Sequence, residues 1–125
     1  MIYGIGTDIV QIGRIRQALA RHGERFALRV LAESERASWQ GSQNPARLLA
    51  KRFAVKEAFG KALGTGVAAP ATLHAVAVTH DVRGKPLLQY NEVLAAYLVK
   101  RGLQAHLSIS DESEYVIAFV VIEHA

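Results

Sequence analysis

The sequence predicts an α+β fold, and two observations carry that reading. Segments of helical and of strand period follow one another in mixed order, not in the strict alternation of a parallel α/β protein. Polar turn clusters at 81–86 and 111–114 join short apolar strands directly, as hairpins require. No linker, low-complexity tract or internal repeat interrupts the 125 residues, so one domain is expected to span 1–125.

The elements are justified in order. Ile2 to Val10 reads as a strand, with Gly4 and Gly6 where a backbone or ligand could approach closely. Gln11 to Arg21 reads as a helix with Ile12, Ile15 and Leu19 on one face, ended or bent by Gly23. Glu33 to Gln40 reads as a short helix with Trp39 as a core anchor. Asn44-Pro45 starts the longest helix, Asn44 as N-cap and Pro45 in the first turn, running to about Leu63 and stopping at Gly64. Leu73 to Thr79 and Leu87 to Tyr90 pair across the 81–86 turn, and Glu92 to Arg101 is a helix ending at Gly102. Gln104 to Ser110 and Tyr115 to Ile122 are the last two strands. The second is so apolar that it reads as a central strand buried on both faces.

Composition bounds the chemistry. Half the residues are hydrophobic, and a chain this short still exposes much apolar surface, so oligomerisation is expected. The absence of cysteine excludes disulfides, thiolate catalysis and cysteine-ligated metal, and is compatible with the cytoplasm. No basic stretch precedes an apolar run at the start, so no secretory signal is read. Ala62 to His80 lacks Asp, Glu, Lys and Arg, but its glycines, proline, threonines and histidines make it too polar for a membrane span. A net charge of +4 and a pI near 9.7 favour acidic partners without choosing among them.

The long helix carries the strongest chemical signal. Leu49, Phe53, Glu57 and Lys61 recur every four residues, a step that turns about 40° around the axis. The row therefore rotates from core to rim and delivers a carboxylate and an ammonium to the boundary. Ala50, Ala54, Ala58 and Ala62 form a neighbouring row of small residues that permits a close neighbour. Gly60, unfavourable inside a helix, marks something packed against the backbone. Spacing alone allows Glu57 and Lys61 to be an ordinary surface pair. Asp8 at the end of the first strand, and Gly64-Thr65-Gly66 after Lys61, suggest instead a site for Mg²⁺ and a diphosphate: two carboxylates for the metal, a lysine and a glycine-rich turn for phosphate. Walker-type, G-x-G-x-x-G and H-E-x-x-H motifs are absent.

Four motifs in one order then point to a family. Ile5-Gly6-Thr7-Asp8-Ile9-Val10 with Arg14-Ile15, then Arg52-Phe53-Ala54-Val55-Lys56-Glu57-Ala58 with Lys61-Ala62-Leu63-Gly64-Thr65-Gly66, resemble the first two motifs of holo-acyl-carrier-protein synthases. Gly84-Lys85-Pro86, and His106-Leu107-Ser108-Ile109-Ser110 with Tyr115 and Val120-Val121-Ile122-Glu123, resemble the others. The resemblance covers essentially the whole chain. It implies a trimeric 4′-phosphopantetheinyl transferase fold with a mainly antiparallel sheet and sites between subunits. It also implies a cytoplasmic enzyme of fatty acid biosynthesis that moves phosphopantetheine from coenzyme A to a serine of apo acyl carrier protein. Asp8 and Glu57 would bind Mg²⁺, and Lys61 would contact the diphosphate, making these three the catalytic group. Arg52, Lys61, Gly64, Lys85 and His106 would bind coenzyme A, His106 from a neighbouring chain. The serine's proton acceptor stays open between Glu57 and Asp8.

Two departures stand out: Gln11 where many relatives have glutamate, and Asp111 where many have a second histidine. Arg14, Arg21 and Arg25 fall on one side of a helical projection if the helix continues past Gly23. The resemblance implies that they dock acyl carrier protein. The rival readings are a basic nucleic-acid-binding module and an inactive trimeric scaffold. Aromatic residues at 7% and the lack of any nucleic-acid signature weigh against the first, and the retained Asp8, Glu57 and Lys61 against the second. Neither nucleic acid nor membrane is expected as a partner.

Overall fold

Glycine at two positions of the first strand decides how the molecule is layered. In the computed structural model, which describes residues 1–125, β1 (Ile2–Gln11) runs antiparallel to β5 (Tyr115–His124), which pairs on its other edge with β4 (Leu103–Asp111). The long helix α4 (Pro45–Leu63) lies across the inner face of this sheet. A Cβ at Gly4 would overlap the carbonyl oxygen of Ala62, and one at Gly6 that of Ala58. Helix backbone and strand backbone thus touch without a side-chain layer between them. The row Ala50, Ala54, Ala58 and Ala62 is buried as its spacing predicts.

Around this pair the chain places α1 (Ile12–His22), α2 (Glu24–Val30), a 3₁₀ turn (Glu33–Glu35) and α3 (Arg36–Gln40). A separate hairpin, β2 (Val76–His80) and β3 (Pro86–Tyr90), and helix α5 (Glu92–Lys100) complete the fold. One apolar cluster joins residues from α1, α2, α4, α5 and all five strands, the Leu88 and Tyr90 side chains of β3 packing at its margin. The antiparallel sheets beside helices agree with the α+β class. No helix is long and apolar enough to cross a membrane.

The long helix begins as read: the Asn44 side chain accepts from Arg47 N at 3.3 Å, and Pro45 occupies the first turn. It ends at Gly64, in left-handed conformation with φ 90°. Gly60 is required by the loop that follows, because Gly66 N donates to Gly60 O at 3.0 Å. A Cβ on Gly60 would stand 2.6 Å from the Gly66 carbonyl carbon.

Gly23 ends the first helix, as read, with φ 64° and ψ −152°. Three expectations need correction. A second helix, α2, starts anew at Glu24. That second helix falls in a stretch with no element assigned from the sequence. The segment 33–40 is a 3₁₀ turn followed by a short helix, and Trp39 packs at the margin of the core, its indole donating to Pro45 O. Finally, β5 is central in the order β1-β5-β4 but buried on one face only. Val116, Ala118, Val120 and Ile122 are sealed, while Tyr115, Ile117 and Phe119 are 45, 43 and 41% exposed, beside Ile5 and Ile9 of β1 at 61% each.

Gly6→Ala should therefore push β1 off α4. The expected outcome is a loss of about 1–3 kcal/mol or more, read by chemical denaturation; Gly13→Ala, where a Cβ meets nothing within 4 Å, is the control.

Candidate functional site

The β1–α4 contact brings the carboxylates and the lysine together. Strand alternation turns Gly4, Gly6, Asp8 and Val10 to the helix side, so Asp8 emerges one step beyond the glycine contact. Along α4 the four-residue row behaves as its rotation demands: Leu49 is sealed, Phe53 and Glu57 are half-buried, and Lys61 is exposed. Lys61 Nζ lies 3.2 Å from Asp8 Oδ1 and donates to Thr7 O at 3.0 Å. Glu57 shares the cluster. Burial first, then the charge of Asp8, push its carboxyl above the usual range, and Lys61 partly opposes them. Two carboxylates that repel one another, with hard oxygen donors at a solvent-facing edge, fit a divalent cation such as Mg²⁺. No group of three or more His, Cys, Asp or Glu gathers as a metal cage. That fits an ion completed by water and substrate oxygens. Gly64 and Gly66 border the cluster on its C-terminal side, beyond Lys61.

The other predicted residues lie elsewhere. Arg52 is buried and reaches a cleft of about 410 Å³ between the first turns of α4, the β2–β3 turn and the end of β4. Arg47, Lys51 and His80 line the same cleft, with Gly84 on its far wall. Burial first, then the charges of Arg52 and Lys51, hold the His80 imidazole below its usual range, with Asp81 opposing. Around that imidazole the cations outweigh the Asp81 carboxylate. Lys85 and His106 meet across a smaller hollow beside it, of about 130 Å³. His106 points to the outer face of the sheet, its Nε2 3.3 Å from Glu123 Oε1. The chain thus presents two groups of site residues, one at the β1 edge of α4 and one on the opposite side.

The arginines divide as well. Arg14 and Arg21 stand exposed on α1, and Arg25 on α2. Despite the break at Gly23, Arg21 and Arg25 still face one hollow, with Arg29 beside them and Phe26 at its base. Arg29 was missed, although its four-residue step from Arg25 was visible in the sequence.

Both departures have a structural reading. Gln11 is turned to the outer face of the sheet opposite Tyr115, away from Asp8. Asp111 lies in the cationic cleft, its Oδ2 2.7 Å from Arg47 Nη1 and 3.7 Å from Lys51 Nζ. Arg47 also donates to Glu112 O at 2.6 Å and Ser113 O at 3.0 Å, pinning the β4–β5 turn to the start of α4. Glu35 and Lys56 went unseen. They form a buried ion pair of 2.7 Å behind Arg52, and no sequence period joins residues so far apart.

Comparison with known proteins gives the family. The family described as the 4′-phosphopantetheinyl transferase superfamily matches residues 4–120. The chain is 70% identical over 123 residues to the holo-[acyl-carrier-protein] synthase of Azoarcus sp. (strain BH72), covering 98% of each. The crystal structure of the Neisseria meningitidis holo-[acyl-carrier-protein] synthase superposes with a TM-score of 0.95 at 44% identity, over 98% of this chain and 99% of that one. The Bacillus anthracis str. Ames synthase, solved in complex with CoA (3′,5′-ADP), superposes at 0.84 with 36% identity, over 100% and 99%. The chain belongs to the 4′-phosphopantetheinyl transferase superfamily.

Proposed function

We propose that this member of the superfamily is a holo-[acyl-carrier-protein] synthase, which transfers phosphopantetheine from coenzyme A to a serine of apo acyl carrier protein. The observation that carries the reading is the convergence of Asp8, Glu57 and Lys61 where β1 meets α4. The likeness of the whole chain to synthases, one solved with CoA (3′,5′-ADP), supports it.

In the reaction the serine oxygen attacks the β-phosphorus of coenzyme A. The new O–P bond forms as the bridging P–O bond breaks, and 3′,5′-adenosine diphosphate leaves. Asp8 and Glu57 would hold Mg²⁺, which neutralises and orients the diphosphate when bound. Lys61, anchored by Thr7 O and Asp8, sets an ammonium beside the leaving phosphate. Glu57 accepts the serine proton: it stands in the same cluster, whereas Asp8 is engaged by Lys61. The cleft of Arg47, Lys51 and Arg52, with Lys85 and His106 beside it, takes the nucleotide end of coenzyme A. The arginine-lined hollow on α1 and α2, with Arg14 further along α1, docks the acidic acyl carrier protein by electrostatic steering.

The two groups of residues lie on opposite sides of α4, so one complete site takes one group from each of two chains. The apolar outer face of Ile5, Ile9, Ile117 and Phe119 supplies the contact, and a homotrimer closes it.

Two measurements follow. Incubating the protein with coenzyme A, Mg²⁺ and apo acyl carrier protein should add one phosphopantetheinyl group to the carrier by intact mass, and EDTA should prevent it. Asp8→Asn and Glu57→Gln should each slow the transfer about 10²-fold or more with unchanged circular dichroism. No transfer to several carriers by a folded protein would defeat the assignment. For the shared site, Asp8→Asn and Arg52→Gln chains are assayed at limiting coenzyme A, alone and as mixed oligomers. Random mixing should restore both native halves to about a quarter of the sites. No recovery in mixed oligomers confirmed by native mass spectrometry would place the whole site within one chain.

A further inference from the structure

Arg52 is an unusual group to present to a ligand. Its side chain is 7% exposed, yet it lines the cationic cleft. Its Nε is buried without a hydrogen-bond partner. Burial disfavours its charge, and the charge of Glu35 works in the opposite sense. A buried guanidinium on a flexible stem needs something to fix its direction and compensate it, and only one carboxylate stands behind it: Glu35 Oε2, 3.5 Å from Arg52 Nε.

Glu35 is itself immobilised on all sides. Its Oε1 accepts from Ala32 N at 2.9 Å and from Lys56 Nζ at 2.7 Å, and its Oε2 accepts from Val78 N at 2.9 Å. Lys56 is held in turn by donating to Leu73 O and Val76 O. The carboxylate therefore joins three parts of the chain: the 3₁₀ turn, α4 and β2. Val78 leads two residues on to His80, on the wall of the same cleft. A surface ion pair would be an inadequate lever here, but this carboxylate is sealed from water and accepts three hydrogen bonds, so it cannot follow Arg52 if Arg52 moves.

We propose that Glu35 is a positioning residue for coenzyme A: it fixes the Arg52 guanidinium at the floor of the cleft so that its outer nitrogens meet an anionic oxygen of the nucleotide. Lys56 balances the charge that this requires in the interior. The inference rests on the reading of the cleft as the coenzyme A site. A purely architectural role would tie the 3₁₀ turn to β2 and nothing more. It would lower stability when broken but leave coenzyme A affinity of the folded enzyme alone.

The test separates these. Glu35→Gln keeps the side-chain shape and removes the charge behind Arg52. KM for coenzyme A should rise about tenfold while kcat stays within about twofold, and 3′,5′-adenosine diphosphate binding by calorimetry should weaken in parallel. Arg52→Gln should raise KM at least as much, and the double variant should be no worse than Arg52→Gln alone, because Glu35 acts through Arg52. Should Glu35→Gln fold poorly, Glu35→Gln/Lys56→Met removes both charges of the buried pair, an exchange interiors tolerate better than loss of one, and carries the same expectation. An unchanged KM in the folded Glu35 variant beside an impaired Arg52→Gln would overturn the inference alone, as would effects that multiply in the double variant. An unchanged KM in Arg52→Gln would overturn the inference together with the assignment of the cleft.

Discussion

The structure depends on one close approach: the backbone of α4 against the backbone of β1 at Gly4 and Gly6. Any side chain at either glycine would meet a helix carbonyl, so these positions are set by space rather than by turn geometry. The alanine row of α4 makes the same contact possible from the other side. Everything chemical at the β1 edge is a consequence. With the strand pressed onto the helix, Asp8 comes within ion-pair distance of Lys61, and Glu57 shares its field. A layer of ordinary apolar side chains between the two would separate their axes to the usual distance of packed elements, and Asp8 would be drawn away from Glu57 and Lys61.

What could be read in the sequence was whatever repeats locally. The rotation of Leu49, Phe53, Glu57 and Lys61 from core to rim, the N-cap at Asn44 and the stop at Gly64 all depend on neighbours within a few residues, and all are found in the fold. Even the tight packing at Gly60 was legible, since glycine in a helix interior is unfavourable without a reason. The failures are of another kind. The helix α2 is short, with Ala27 and Val30 its only sealed residues, and it starts after a glycine that looks like a simple terminator. The Glu35–Lys56–Arg52 cluster joins an acid and two bases across 17 or more positions, and nothing in a periodic pattern marks such a pair.

The last strand shows how composition can mislead about burial. Tyr115 to Ile122 is apolar at every position, and an apolar run reads as a strand buried on both faces. Within the chain only alternate residues are buried, because α4 covers one face of the three-stranded sheet and nothing covers the other. In a sheet of this width, exposed isoleucines and a phenylalanine side by side form a continuous patch, the kind that soluble monomers seldom leave open.

That patch and the division of the site have the same geometric origin. On α4, Arg52 and Lys61 are nine residues apart and so point about 180° from one another around the axis. One chain can place a helix residue beside β1 or beside the β2–β3 turn, but a single ligand cannot touch both sides of a helix that lies flat on a sheet. Under the proposed function the carboxylates would then take their nucleotide-binding cleft from a second copy, and the outer face of the sheet, carrying His106 next to its apolar residues, is where that copy would bring one. In the proposed homotrimer, association would do more than hide apolar surface: it would join the half proposed to hold the diphosphate to the half proposed to hold the nucleotide, and an isolated chain would keep a complete core and an incomplete active site.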